Sequence, residues 1–102
     1  MCPSPFHTAK HMNRFEIEFI PLTDDAGAPH YWSIRLVDND RDGSYSTIGI
    51  IEHIQGHGRD RFHVVCTLFG SEHSDLRCAQ LMVLGMYHHH GYITKEQYES
   101  RL

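Results

Sequence analysis

Apolar and polar residues alternate along four stretches of the chain, which is the pattern of strands half-buried in a sheet. In the first stretch, Phe15, Ile17 and Phe19 share one face and glutamates occupy the other. The inward residues predicted for the next three stretches are Trp32, Ile34 and Leu36; Ile48, Ile50 and Ile54; and Phe62, Val64, Cys66 and Leu68. The links PLTDDAGAP, DNDRDG and QGHGRD have the composition of turns, so consecutive strands are expected to pair as an antiparallel meander. Gly49 permits a bulge in the third strand.

The spacing of apolar residues changes to a helical period at residue 74. Ser74 is the predicted N-cap, with Asp75 in the first turn, and Gly91 is the predicted stop. The apolar residues extend well beyond one face of this helix. It is therefore expected either to lie deeply buried under a curled sheet or to have its far side covered by another molecule, which makes it a candidate homodimer contact.

A short last helix is predicted after Gly91. Thr94 and Gln97 have the spacing of a capping box, and the helix is expected to end near Leu102. The predicted fold class is therefore α+β. It is a four-stranded antiparallel sheet with one long helix on its core face and a short C-terminal helix.

Length and composition define one small globular domain. The chain has 102 residues, of which 40% are hydrophobic, and its formal net charge is −4. Residues 1–12 are predicted to be a flexible tail and residues 13–102 a single domain. Cys66 and Cys78 are expected to be buried thiols, which suits the cytoplasm. No apolar run has the length of a membrane span, and the negative charge disfavours direct binding to nucleic acid.

The stretch DNDRDG begins like a calcium-binding EF-hand loop. Asp38, Asp40, Asp42 and Gly43 match the first half of that loop, but Gly49 stands where the bidentate glutamate belongs. Strands, and not helices, are predicted on both sides. We therefore expect an exposed, metal-free turn between the second and third strands, in which aspartate side chains bond their own backbone.

Ten histidines raise two alternatives. His53, His57 and His63 lie around one predicted hairpin, and zinc requires three or four converging ligands. His53 and His63 are also expected on the open face of the sheet, where they would accompany Glu16, Glu18, Arg35 and Arg61. Such a set supports either acid–base catalysis or cross-strand charge pairing. No nucleophile, phosphate-loop or dinucleotide motif occurs, so no enzyme activity and no cofactor are expected.

Acidic residues are concentrated in the predicted loops. The candidate partner-binding residues are Asp24, Asp25, Asp38, Asp40, Asp42, Asp60 and Glu72. Carboxylates grouped on a small domain are suited to docking on a basic protein surface, such as one that binds nucleic acid. The expected function is therefore protein binding. A metal-binding regulatory protein and a small acid–base enzyme are the alternatives.

The end of the chain, GYITKEQYESRL, resembles a short C-terminal motif in which glycine and IT precede an acidic helix with an aromatic residue. In size, acidity and plan the whole chain is similar to small phage-encoded inhibitors, including anti-CRISPR proteins. That resemblance implies stoichiometric binding to a bacterial defence complex in the host cytoplasm, without catalysis.

Overall fold

Five strands form one antiparallel sheet in which each strand pairs with its neighbour in sequence, in the order β1-β2-β3-β4-β5. The structure is a computed structural model that describes residues 14–23, 29–56 and 58–102. The strands are β1 (Phe15–Thr23), β2 (Pro29–Asp38), β3 (Ser44–Gly56), β4 (Arg59–Cys66) and β5 (Gly70–His73). Helices α1 (Leu76–His89) and α2 (Lys95–Glu99) follow. The predicted N-terminal tail lies outside the described residues.

The α+β class, the antiparallel sheet and the two helices are confirmed, but the prediction of four strands is wrong. The fifth strand, β5, has only four residues and the sequence GSEH. Its partners on β4 run from Phe62, opposite His73, to Val65, opposite Gly70. Its sequence has no alternation of apolar residues, so only pairing with β4 makes it a strand.

A bulge at Ile48 reverses which residues of β3 face the core. On β2, Ile34 lies opposite Gly49 and Arg35 lies opposite Thr47, so Ile48 has no partner in the ladder. An extra residue shifts the two-residue alternation by one position. The predicted inward positions of Ile50 and Ile54 are therefore wrong, and Ile51 is the fully buried residue.

The core lies between one face of the sheet and α1. We call this side of the sheet the core face and the other side the open face. The buried apolar residues of the core cluster are Ile17, Trp32, Ile34, Ile51, Val64, Ala79, Val83, Leu84, Tyr87 and Ile93. Phe62, expected to be buried, is half-buried. The Tyr87 hydroxyl is hydrogen-bonded to Thr67 Oγ1 at 2.7 Å, and burial raises the pKa of Tyr87.

The ends of α1 differ in one respect from the prediction. Asp75, and not Ser74, is the N-cap, and its carboxylate accepts a hydrogen bond from the Cys78 backbone N–H at 2.7 Å. Cys78 is therefore in the exposed first turn, so its predicted burial is wrong, while Cys66 is partly buried. Gly91 ends the helix with a φ of 84°, as predicted.

Helix α2 covers part of the outer side of α1. Its predicted capping box is present: Thr94 Oγ1 accepts from Gln97 N at 3.0 Å, and Gln97 Oε1 accepts from Thr94 N at 2.8 Å. The Tyr98 ring lies 3.7 Å from the position that a Cβ on Gly85 would occupy. A methyl group at Gly85 would therefore make ordinary van der Waals contact with Tyr98, so this approach of the two helices does not require glycine.

Candidate functional site: the open face of the sheet

The predicted acidic turn joins β2 to β3, as expected. It contains a 3₁₀ turn over Asn39–Arg41, and Asp42 adopts the left-handed conformation with φ 57°. The Asp38 carboxylate accepts a hydrogen bond from the Asp40 backbone N–H at 3.0 Å. One aspartate side chain, that of Asp38, thus bonds the local backbone of the turn, as the composition predicts.

Asp38 is also bound to two arginines. Arg14 Nε and Nη2 donate to its two carboxylate oxygens, both at 3.2 Å, and Arg41 Nε lies 3.7 Å away. The hydrogen bonds from Arg14 hold the pKa of Asp38 below its ordinary value and raise the pKa of Arg14. The carboxylate of Asp38 is therefore engaged within the molecule. Asp40 and Asp42 lie in the exposed part of the turn, and Asp40 Oδ2 is 3.7 Å from Arg14 Nε.

The other predicted acidic residues fall on different sides of the sheet. Glu72 pairs with Arg61 across β4 and β5, with an oxygen–nitrogen distance of 3.3 Å, on the open face. Asp60 instead lies 3.3 Å from His53 Nε2. Asp24 and Asp25 lie outside the described residues. The predicted acidic residues therefore do not form one surface in the described part of the chain.

His53 lies on the core face, and its predicted place on the open face is wrong because of the bulge at Ile48. It is directly opposite Phe62, and the two rings stack with centroids 4.6 Å apart. His30 stacks on its other side, with centroids 6.3 Å apart. Although Asp60 is within ion-pair distance, His53 Nε2 is buried and has no hydrogen-bond partner among the described residues.

The hairpin histidines do not converge. His63 lies opposite Glu72 of the neighbouring strand, on the open face. His53 lies on the other side of the sheet. His57 is outside the described residues. In residues 14–23, 29–56 and 58–102, no group of three or more histidine, cysteine, aspartate or glutamate side chains is placed to hold a metal ion.

An apolar row crosses the open face. Ile20 lies opposite Ser33, Ser33 lies opposite Ile50, and Ile50 lies opposite Val65. Directly paired residues of antiparallel strands project from the same face. These residues therefore form one row perpendicular to the strands, which we call the open-face row: Ile20, Ser33, Ile50 and Val65.

Exposed apolar side chains lie in and beside this row. Val65, in the row, is 50% exposed. Leu22 and Tyr31, which lie opposite each other beside the β1 and β2 end of the row, are 44% and 41% exposed. Tyr45 is 54% exposed and lies toward the other end of the same face. The buried residues of α1 and the partly buried Tyr98 of α2 belong to the core cluster. The open face thus carries exposed apolar side chains that no helix of the described chain covers.

Charged residues border the open-face row. Glu16 and Glu18 are exposed on β1, and within the described part of the chain neither forms an ion pair. Arg35, opposite Glu18, places its guanidinium 4.2 Å from the centroid of the Tyr45 ring. The Nε atom of Arg35 is buried and has no hydrogen-bond partner in residues 14–23, 29–56 and 58–102. The side of the open face formed by β1 is therefore acidic.

The sequence contains a signal for this surface. Strict alternation in β1 places Ile20 and Leu22 outward, and alternation in β4 does the same for Val65. Apolar residues on both faces of a strand indicate that both faces are covered. Ile50 could not be assigned in this way, since the bulge reverses its direction.

No protein-family model matches the chain, no curated protein matches its sequence, and no solved structure matches its fold. Among the described residues, no helix combines the length and apolar character needed to cross a membrane.

Proposed function

We propose that this chain is a protein-binding module that acts by occupying a surface of a larger partner through the open face of its sheet. One observation carries the proposal. Of the seven large apolar residues that are exposed in the described part of the chain, four lie on this face: Leu22, Tyr31, Tyr45 and Val65. An exposed apolar patch bordered by polar residues is typical of a protein interface.

The charges of the face support a partner with a basic rim. Glu16 and Glu18 are exposed beside the open-face row, and the whole chain has a net charge of −4. Complementary charge accelerates association and excludes partners of the same sign. The expected partner surface therefore has an apolar centre and lysine or arginine at its edge, as nucleic-acid-binding proteins do.

The specific form of the proposal is stoichiometric inhibition of a bacterial defence complex of the CRISPR type, without catalysis and without a cofactor. The similarity in size, acidity and plan to small phage-encoded inhibitors supports this form. The basic channels of RNA-guided complexes, which hold nucleic acid, present the charge that the acidic side of the open face complements.

The test is titration of purified RNA-guided effector complexes with the chain, measuring DNA cleavage. We expect cleavage to stop at one chain per complex for the susceptible type. Val65→Asp should weaken inhibition about tenfold or more, because it places a charge in an apolar contact.

Met82→Asp is the matched control. Met82 is 43% exposed, close to the 50% of Val65, but it lies on α1. Thermal melts should show that both variants fold. If Met82→Asp weakens inhibition and Val65→Asp does not, the open face is the wrong surface. If no effector type is inhibited, the inhibitor form of the proposal is wrong.

A further inference from the structure

The outer edge of β1 is occupied by two side chains from the C-terminal segment. Gln97 Nε2 donates to the Phe15 carbonyl oxygen at 2.8 Å, and an Arg101 guanidinium nitrogen donates to the Ile17 carbonyl oxygen at 3.1 Å. β1 is the first strand of the sheet, so among the strands of the described residues β2 is its sole neighbour. Gln97 and Arg101 therefore take the positions in which the N–H groups of a further strand would bind. We call this pair the edge clamp.

The edge clamp depends on a small element. Helix α2 has five residues, Lys95–Glu99, and none of them is buried. The same Gln97 side chain that binds Phe15 also closes the capping box with Thr94. A short helix has little stability of its own, so its hydrogen bonds to β1 are easier to exchange than those within the sheet.

The edge clamp shows which chemical groups the edge of β1 can bind. It supplies an amide donor and a guanidinium cation, and a cavity of about 280 Å³ lies between it and β1. Glu16 and Glu18 line this cavity together with Arg101. A ligand that replaces the clamp must therefore donate hydrogen bonds to two backbone carbonyls and place positive charge near two carboxylates.

We propose that the edge of β1 is a strand-pairing site for an extended peptide segment in which apolar and basic residues alternate, and that the edge clamp is displaced when this segment binds. The apolar residues of the segment would continue the face of Phe15, Ile17 and Phe19. Its basic residues would project beside Glu16 and Glu18. Addition of a strand to an open edge is a common mode of peptide recognition.

Two features of β1 define the length and the partner of this pairing. The backbone N–H and C=O groups of residues 15, 17, 19 and 21 point away from β2, toward the free edge. Pro21 has no N–H to donate. Pairing is therefore confined to Phe15–Phe19. In an antiparallel pair of two β1 strands centred on Ile17, Glu16 would face Glu18 of the second copy. Like charges directly opposite are destabilising, so the charge pattern favours a basic partner over self-association.

This site goes beyond the proposed function, since it uses the edge of the sheet and not the open-face row. The two surfaces share Glu16 and Glu18. A partner segment that pairs with β1 would thus lie next to a protein docked on the open face.

The probe is a short synthetic peptide of alternating valine and lysine, with binding measured by fluorescence anisotropy at low salt. Gln97→Glu is the informative variant: it keeps the side-chain oxygen that caps α2 but removes the donor to Phe15. We expect it to tighten peptide binding about fivefold, the effect of one net hydrogen bond that no longer has to be broken. Arg101→Ala should act in the same direction. On binding, the Ile17 and Phe19 amides should become protected from hydrogen exchange.

Lys95→Gln is the control for charge, because it lowers the net charge by the same one unit within α2. Lys95 forms no hydrogen bond or ion pair with a described residue of β1. It should leave peptide affinity unchanged, and a peptide of alternating valine and glutamate should not bind. The proposal is overturned if wild type and both clamp variants fail to bind the lysine peptide, if Lys95→Gln tightens binding as much as Gln97→Glu, or if protection appears at Ser33 and Ile50 instead. Val65→Asp should bind the peptide with wild-type affinity, because Val65 is not at the edge of β1. Failure of the open-face proposal can therefore be told apart from failure of the strand-pairing proposal.

Discussion

The two faces of the sheet contain the same kinds of residue in neighbouring positions but have opposite environments. Val64 is fully buried and Val65 is 50% exposed. Ile51 is fully buried, whereas Ile50, the next residue in the chain, is partly exposed on the other face. Hydrophobicity therefore does not distinguish core from surface in this protein.

The difference between the faces is the presence of a covering element. Ala79, Val83 and Tyr87 of α1 complete the burial of the core face. The open face has a row of three aliphatic residues and Ser33, and no helix of the described residues lies over it. The comparison indicates that the apolar residues of the core face serve folding and that those of the open face are available for binding.

The largest expected effect is on the core face. Ile51→Ala should lower the free energy of unfolding by about 2–5 kcal/mol, because it removes buried methyl groups and leaves a cavity in a packed site. Urea denaturation followed by circular dichroism measures this change. A chain of this size has little stability to lose, so partial unfolding at 37 °C is a second expected result.

Val65→Ala is the counterpart on the open face. It should change the free energy of unfolding by less than about 0.5 kcal/mol, the usual range for an exposed site. If Val65→Ala is as destabilising as Ile51→Ala, the open face is covered in the intact protein and the distinction between the faces is lost.

The next effect concerns the bulge that assigns β3 residues to their faces. In Gly49→Ala, the new Cβ would lie 2.5 Å from both Cys66 Cβ and the Val65 carbonyl oxygen. Because backbone must move to make room, we expect a loss of about 1–3 kcal/mol.

Gly56→Ala, in the same strand, meets no atom within 4 Å and is the control. It should be neutral in the same urea titration. Equal stability of the two variants would show that the strand accommodates the methyl group by moving the bulge. In that case the residues of β3 that face the core should change, and different β3 amides should be protected in hydrogen exchange.

The smallest expected effect distinguishes a carboxylate bound within the molecule, that of Asp38, from a carboxylate exposed on the open face, that of Glu18. Arg14 holds the pKa of Asp38 below its ordinary value of about 4. A depressed folded-state pKa contributes stability above the unfolded-state pKa, and that contribution is lost as pH falls through the folded-state pKa. Asp38→Asn should therefore be less stable than wild type at neutral pH. The difference should disappear in strong acid, in thermal melts recorded across the acid range.

Glu18→Gln is the matched change on the open face. Glu18 forms no ion pair with a described residue, so its replacement should leave the melting temperature unchanged at neutral pH and weaken binding to a basic partner, more so at low salt. A clear loss of stability in Glu18→Gln would mean that this carboxylate, like Asp38, serves the fold.

The sequence predicted the elements whose signals are local. Alternation identified β1, β2, β3 and β4, and helical spacing identified α1. The capping box at Thr94 and the stop at Gly91 are also where the sequence places them. Each of these signals arises from residues within one or two turns or along one strand, so the physical cause lies in the sequence itself.

The candidate site was predicted less completely. The exposed aspartates of the β2–β3 turn follow from composition, but the engagement of Asp38 by Arg14 joins residues 24 positions apart. Neither the face of Ile50 nor the orientation of His53 could be read from alternation, because one unpaired residue at Ile48 reverses both.

Local pattern alone therefore determined the α+β class, the order of the elements and the presence of apolar residues on both faces of the strands. Tertiary structure decided three things that depend on distant partners. It made GSEH a strand by pairing it with β4, it placed α1 on one face only, and it brought Gln97 and Arg101 to the edge of β1. Pairing, covering and edge contacts are interactions between segments far apart in the chain. Their free energies depend on the assembled geometry, which the order of residues within any one segment does not contain.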